Sequence, residues 1–133
     1  VFCGYGEPTC AYDNLLKTAA YLKAKGLKLR LNTNGLSDLL NKKPTAKEIC
    51  KWFDTVSISL NAPTAEKYND LCQPSFGEKS FDAILRFAED CKGTGTQLKF
   101  SLVDVISKED IDACRALSEK MGIPLRVREY TAD

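Results

Sequence analysis

Apolar positions along this chain switch between two spacings. Short runs rich in leucine and β-branched residues alternate with longer runs in which apolar residues recur every three or four positions, the periods of strands and helices. Strands are predicted over 1–4, 27–32 (LKLRLN), 55–61 (TVSISLN), 98–105 (LKFSLVDV) and 124–130 (PLRVREY). A helix over 12–25 puts Tyr12, Leu15, Leu16, Ala19 and Leu22 on one face, and Gly26 is placed to stop it. Thr45 with Glu48 has the spacing of a capping box that opens a helix through Ile49, Trp52 and Phe53. Pro63 and Thr64 open a short helix over 65–71, followed by a loop over 73–79. Ser80 is expected to cap a helix that buries Phe81, Ile84, Leu85, Ala88 and Cys91. After a turn at 93–96 and the fourth strand, Ser107 and Asp110 open a helix carrying Ile111, Cys114, Leu117 and Met121, which Gly122 ends.

Repeated β-α alternation predicts an α/β fold with a parallel sheet of about five strands and helices on its outer face. Parallel strands are usually apolar on both faces; these alternate. Leu29, Ile58, Phe100 and Val127 share a parity with other apolar residues, while Arg30, Ser59, Ser101 and Arg128 fall on the opposite one. A sheet packed under helices on one side and lined with polar groups on the other, as in a partial (β/α) TIM-like barrel with an open lumen, accounts for both sets. Lumen arginines paired with carboxylates are the alternative to a ligand role for any one of them.

Composition narrows the chemistry. The 133 residues suit one domain spanning 1–133, and 44% are hydrophobic. Nineteen basic residues nearly balance eighteen acidic ones, which argues against a general nucleic-acid footprint or a polybasic membrane patch. No apolar run reaches membrane-span length, and a cytoplasmic location is expected. The six cysteines form no CxxC; Cys50, Cys91 and Cys114 sit at apolar helical positions and are expected to be buried thiols. With no histidine, Cys/His zinc sites are excluded and no metal-ligating set is assigned. The chain opens at Val1 inside an apolar run, from which a truncated domain is expected, with an upstream strand missing.

The predicted carboxyl ends of the strands, where parallel α/β folds place their sites, read GYGEPT, NTNG, LNAP, DVIS and REYT. An acid in a Gly/Pro turn, beside exposed carbonyls, suits an ammonium group or a hard cation. Asn34–Gly35 equally suits a plain turn, and Ser57 and Ser59 suit ordinary strand hydrogen bonding.

These motifs resemble a known family. GYGEPT looks like the Gly-Gly-Glu-Pro loop of radical S-adenosylmethionine (radical SAM) enzymes, and LRLNTNG, VSISLNA, LKFSLVDVI and LRVREY resemble its following strands. The combination is most similar to the TatD-associated radical SAM proteins. The resemblance implies a parent enzyme that reductively cleaves S-adenosylmethionine at a [4Fe-4S] cluster to give a 5′-deoxyadenosyl radical, with an electron donor and a substrate that the residues do not identify. It places the methionine ammonium at Gly6 and Glu7, with Tyr5 and Pro8 in the same loop. Asn32, Asn34, Ser59 and Asn61 would border the cofactor, and Val105 and Arg128 would approach its adenosine. Tyr5 stands where the family often has a glycine. The cluster's CxxxCxxC signature is absent, so the chain is expected to be a fragment lacking the cluster loop, without a cluster and inactive alone. Its first strand would be an exposed edge, favouring self-association or poor order around GYGEPT. The rival readings are another TIM-barrel-like lyase or isomerase, and a non-catalytic binding domain on the same fold.

Overall fold

A computed structural model describes residues 7–129. The predicted strand at 1–4, together with Cys3, Tyr5, Gly6 and Tyr130, lies outside them. The described residues form an α/β fold around one four-stranded sheet, with strands β1 (Arg30–Thr33), β2 (Thr55–Ser59), β3 (Gln97–Val103) and β4 (Leu125–Arg128). All three pairings are parallel, and the spatial order β1-β2-β3-β4 is the chain order. Helices α1 (Tyr12–Ala24), α2 (Ser37–Asn41), α3 (Ala46–Trp52), α4 (Ala65–Cys72), α5 (Lys79–Cys91) and α6 (Lys108–Met121) fill the connections.

The register carries the predicted two-faced sheet. Leu31 lies beside Val56, which lies beside Leu98; Ile58 lies beside Phe100, and Phe100 beside Leu125. This parity joins a core with Leu15 and Ala19 of α1, Ile49 of α3, Ile84 and Phe87 of α5 and Cys114 of α6. Leu29, Ile58 and Phe100 are buried in that cluster, and Val127 packs against it half-buried. Removing such side chains from water contributes roughly 1.5–3 kcal/mol each, so this face holds the domain together. Cys50, Cys91 and Cys114 are buried free thiols, while Cys10 and Cys72 are exposed. No helix among the described residues is long and apolar enough to cross a membrane.

Several boundaries differ from the sequence pattern. β1 begins at Arg30, three residues late: the ladder opens with the Arg30–Thr55 pair, and ahead of it the Leu29 carbonyl accepts from Asp54 N at 2.9 Å and Thr55 N at 3.2 Å while its amide donates to the Asp54 side chain. Leu27 is exposed there. β2 stops at Ser59, and two residues on Asn61 takes a left-handed φ of 64°, which a strand cannot continue through. β3 runs from Gln97 to Val103, and Val105 turns back to the Val103 carbonyl. β4 starts after Pro124, which has no N–H for a ladder.

The Thr45–Glu48 capping box does not form. The Thr45 hydroxyl donates instead to Asp38 Oδ1 at 2.7 Å, and Glu48 accepts from the Tyr12 hydroxyl at 2.9 Å. Ser80 is no cap either: α5 opens two residues earlier than that cap would place it, at Lys79 out of the Pro74–Gly77 turn, and the Ser80 hydroxyl is buried without a partner among the described residues. Thr64 and Ser107 cap as expected, accepting from the amides of Lys67 and Asp110. Helix α2 was not evident in the pattern, since five residues hold little more than one turn.

Candidate functional site

The carboxyl end of β1 and the loop before α1 are joined through Glu7. Glu-Pro-Thr is a compact helix-start sequence, with an acceptor side chain at the cap and proline in the first turn. Accordingly Glu7 caps a 3₁₀ turn over Pro8–Ala11, accepting from Thr9 N at 2.9 Å. The same carboxylate accepts from the Thr9 hydroxyl, from the Thr33 hydroxyl at 2.8 Å and from the Asn34 amide at 2.7 Å. Thr9 and Thr33 are both buried. Four donors therefore hold this acid against the end of β1, and its backbone carbonyl accepts from Cys10 N at 3.0 Å. The arrangement fixes the loop exit over the sheet; it leaves the Glu7 side chain acting through its neighbours.

α2 completes the bracket. Asn41 Nδ2 donates to the Thr9 carbonyl at 3.1 Å and to the Ser37 carbonyl at 2.9 Å. Asn34 Oδ1 accepts from Leu36 N at 2.9 Å, so Asn34 makes the turn that its sequence allowed. Gly35 follows at φ +78°, and a Cβ there would lie 3.0 Å from Ile58 and 3.1 Å from Ile84. Only glycine satisfies both the backbone angle and that close approach.

The polar face of the sheet forms a cavity of about 250 Å³. Asn32, Ser59 and Arg128, predicted as site residues, line it together. They are joined by Arg30, Ser57, Ser101 and Arg126. Two cross-strand rows organise the surface: Asn32, Ser57 and Lys99 in one, Ser59, Ser101 and Arg126 in the next. Asn32 Oδ1 and Arg30 Nε are buried without a hydrogen-bond partner among the described residues. Lys99 is held below the usual lysine value by lost hydration first, then by repulsion from Arg30 and Arg126.

Of the other predicted residues, Glu7, Pro8, Asn34, Asn61 and Val105 do not line this cavity. Asn61 has its amide 3.9 Å from Cys72 Sγ, and Val105 is 51% exposed in the turn after β3. Tyr5 and Gly6 lie outside the described residues. Thr9 and Thr33, the partners of Glu7, were not among the predicted site residues. The hydroxyl one residue past Glu-Pro was a usable signal for Thr9, but nothing local marks Thr33, 26 residues away. No group of three His, Cys, Asp or Glu side chains among the described residues could hold a metal ion.

The fold and site thus define an α/β protein with a parallel sheet, a helix-covered face and a polar, cation-rich open face. In fold the chain is similar to a solved domain of pyruvate-formate lyase-activating enzyme from Bacteroides vulgatus, with a TM-score of 0.60, 14% identity, and coverage of 95% of this chain and 96% of that one. At that identity the likeness is one of fold. No protein-family profile matches the sequence. No curated protein matches it.

Proposed function

We propose that this chain is the partial (β/α) barrel of a radical SAM enzyme, related to the TatD-associated group, whose polar face and strand ends receive S-adenosylmethionine. The observation that carries this reading is the junction of motif and geometry. A GYGEPT sequence resembles that family's loop, and its Glu7 carboxylate is bonded to Thr33 and Asn34 at the carboxyl end of β1, the strand whose Asn32 lines the polar cavity. The fold likeness to a domain of an activating enzyme agrees with it.

The described residues fit the cofactor but not a cluster. Asn32 Oδ1 is a buried acceptor with no partner among them, suited to a ribose hydroxyl or an ammonium. Ser59 lines the same cavity. The described cysteines offer no cluster-holding set. Bound S-adenosylmethionine supplies a sulfonium whose reductive cleavage is the family's chemistry. The chain's own part is positioning: Glu7 orders the loop, Asn32 and Ser59 orient polar groups, and the helix-covered sheet provides a rigid floor.

Titration of the ¹⁵N-labelled chain with S-adenosylmethionine tests the reading. Amide shifts are expected at the Glu7 loop, the end of β1 and Ser59, and Asn32→Ala is expected to weaken binding several-fold. Absence of shifts at saturating cofactor, or shifts confined to the outer helices, would overturn it.

A further inference from the structure

Among the described strand residues, the open face carries four cations and no acid. Arg30, Lys99, Arg126 and Arg128 share the parity of Asn32, Ser57, Ser59 and Ser101. The ion pairs of the described residues lie elsewhere, at Lys23–Asp54, Lys67–Asp110 and Lys92–Glu89. A net charge of +1 rules out a general basic excess as the cause. Arg30 and Lys99 are half-buried, while Arg126 and Arg128 are exposed; like charges gathered at one cavity repel, and a structure tolerates them best when an anion neutralises them.

We propose that this face binds the phosphate dianion of a small phosphate monoester, with Arg30 and Arg126 carrying the charge and Ser101 donating from between them. The register favours phosphate over a carboxylate: Ser101 and Arg126 are cross-strand neighbours, with strands about 4.8 Å apart, so a single tetrahedral group can be met by several donors. Guanidinium forks hold phosphate and carboxylate oxygens alike in pairs, so they call for an oxyanion. The proposal names a substrate class for the cavity in the function reading and rests on that reading for its role, leaving Asn32 and Ser59 to the cofactor, but its binding residues are tested separately.

The experiment titrates the full chain with glycerol 3-phosphate at pH 8 and constant ionic strength, with malonate and a ten-nucleotide single-stranded DNA as parallel arms. Arg126→Gln and Arg30→Gln are each expected to weaken glycerol 3-phosphate binding by about tenfold or more. Ser101→Ala weakens it less, and Lys120→Gln, on the exposed side of α6, leaves it unchanged. Arginine side-chain Nε–H resonances in the wild type are expected to shift with the same affinity, a readout independent of whether any variant folds. Equal affinity for malonate would make the site a general anion patch and overturn the proposal. Tighter, steeply salt-dependent DNA binding would overturn it in favour of a nucleic-acid face, and absence of binding would overturn it outright. Phosphate binding without S-adenosylmethionine binding would remove the function reading alone; the converse would remove this inference alone.

Discussion

The two faces of the sheet are built from the same strands and differ by one residue of register. On one, Leu31, Ile58 and Phe100 are sealed beneath helices; on the other, Asn32, Ser59 and Ser101 stand next to them in sequence and line an open cavity. The first face is closed by apolar packing. The second keeps a buried acceptor, a buried guanidinium nitrogen and four unneutralised cations among the described residues. Stability and ligand chemistry are thus separated by the pleat, and a residue's parity says which of the two it serves.

The sharpest way to break that division is to mutate adjacent residues. Phe100→Ala is expected to cost about 3–5 kcal/mol through the cavity it opens, while Ser101→Ala changes stability by less than about 0.5 kcal/mol. Urea unfolding of both variants measures the contrast, and similar losses would abolish it. A smaller effect is expected where the site bracket presses on the apolar face: Gly35→Ala meets Ile58 and Ile84 and must hold φ +78°, a cost of about 2 kcal/mol. A thermal midpoint unchanged by that substitution would show the bracket to be loose.

The smallest effect concerns the rim below the sheet. Asp54 is held below the usual aspartate value by its bond to Lys23 at 2.6 Å, then by the Leu29 amide at 2.8 Å. A carboxyl lowered in the folded state stabilises above its unfolded value and loses that contribution as pH falls through the folded one. The pair is more than a third exposed, so solvent screening limits the gain to about 0.5 kcal/mol. Urea midpoints from pH 7 down to pH 3 are expected to fall less steeply in Asp54→Asn than in the wild type.

Parity was legible because a period of two survives any error in where a strand starts. It put Arg30, Ser59, Ser101 and Arg128 on one face, and all four line one cavity. Strand ends were less legible, since they depend on a partner: residues 27–29 have strand composition, but Leu29 bonds to the turn at Asp54 and Thr55 ahead of the first ladder pair. Thr45 shows the same limit for caps. Its local spacing favoured Glu48, but Asp38 and Ser37 reach its hydroxyl from an earlier turn. The hold on Glu7 was hidden for that reason too, as Thr33 and Asn34 become its neighbours only when β1 docks beside the loop. Asn61 and Val105 were drawn toward the site as strand-end residues; one ends in a left-handed turn and the other on an exposed corner.

Spatial order equal to chain order has a kinetic meaning. Each new strand of this sheet docks against the one made just before it, so every closure spans a single connection. Those connections separate paired residues by 25 to 42 positions, and parallel pairing across them carries a closure entropy that makes it slow to form. The chain can grow its sheet one unit at a time, in the direction in which a ribosome delivers it. The two strands laid down in the middle, β2 and β3, finish with neighbours on both sides and become the last part of the sheet to open.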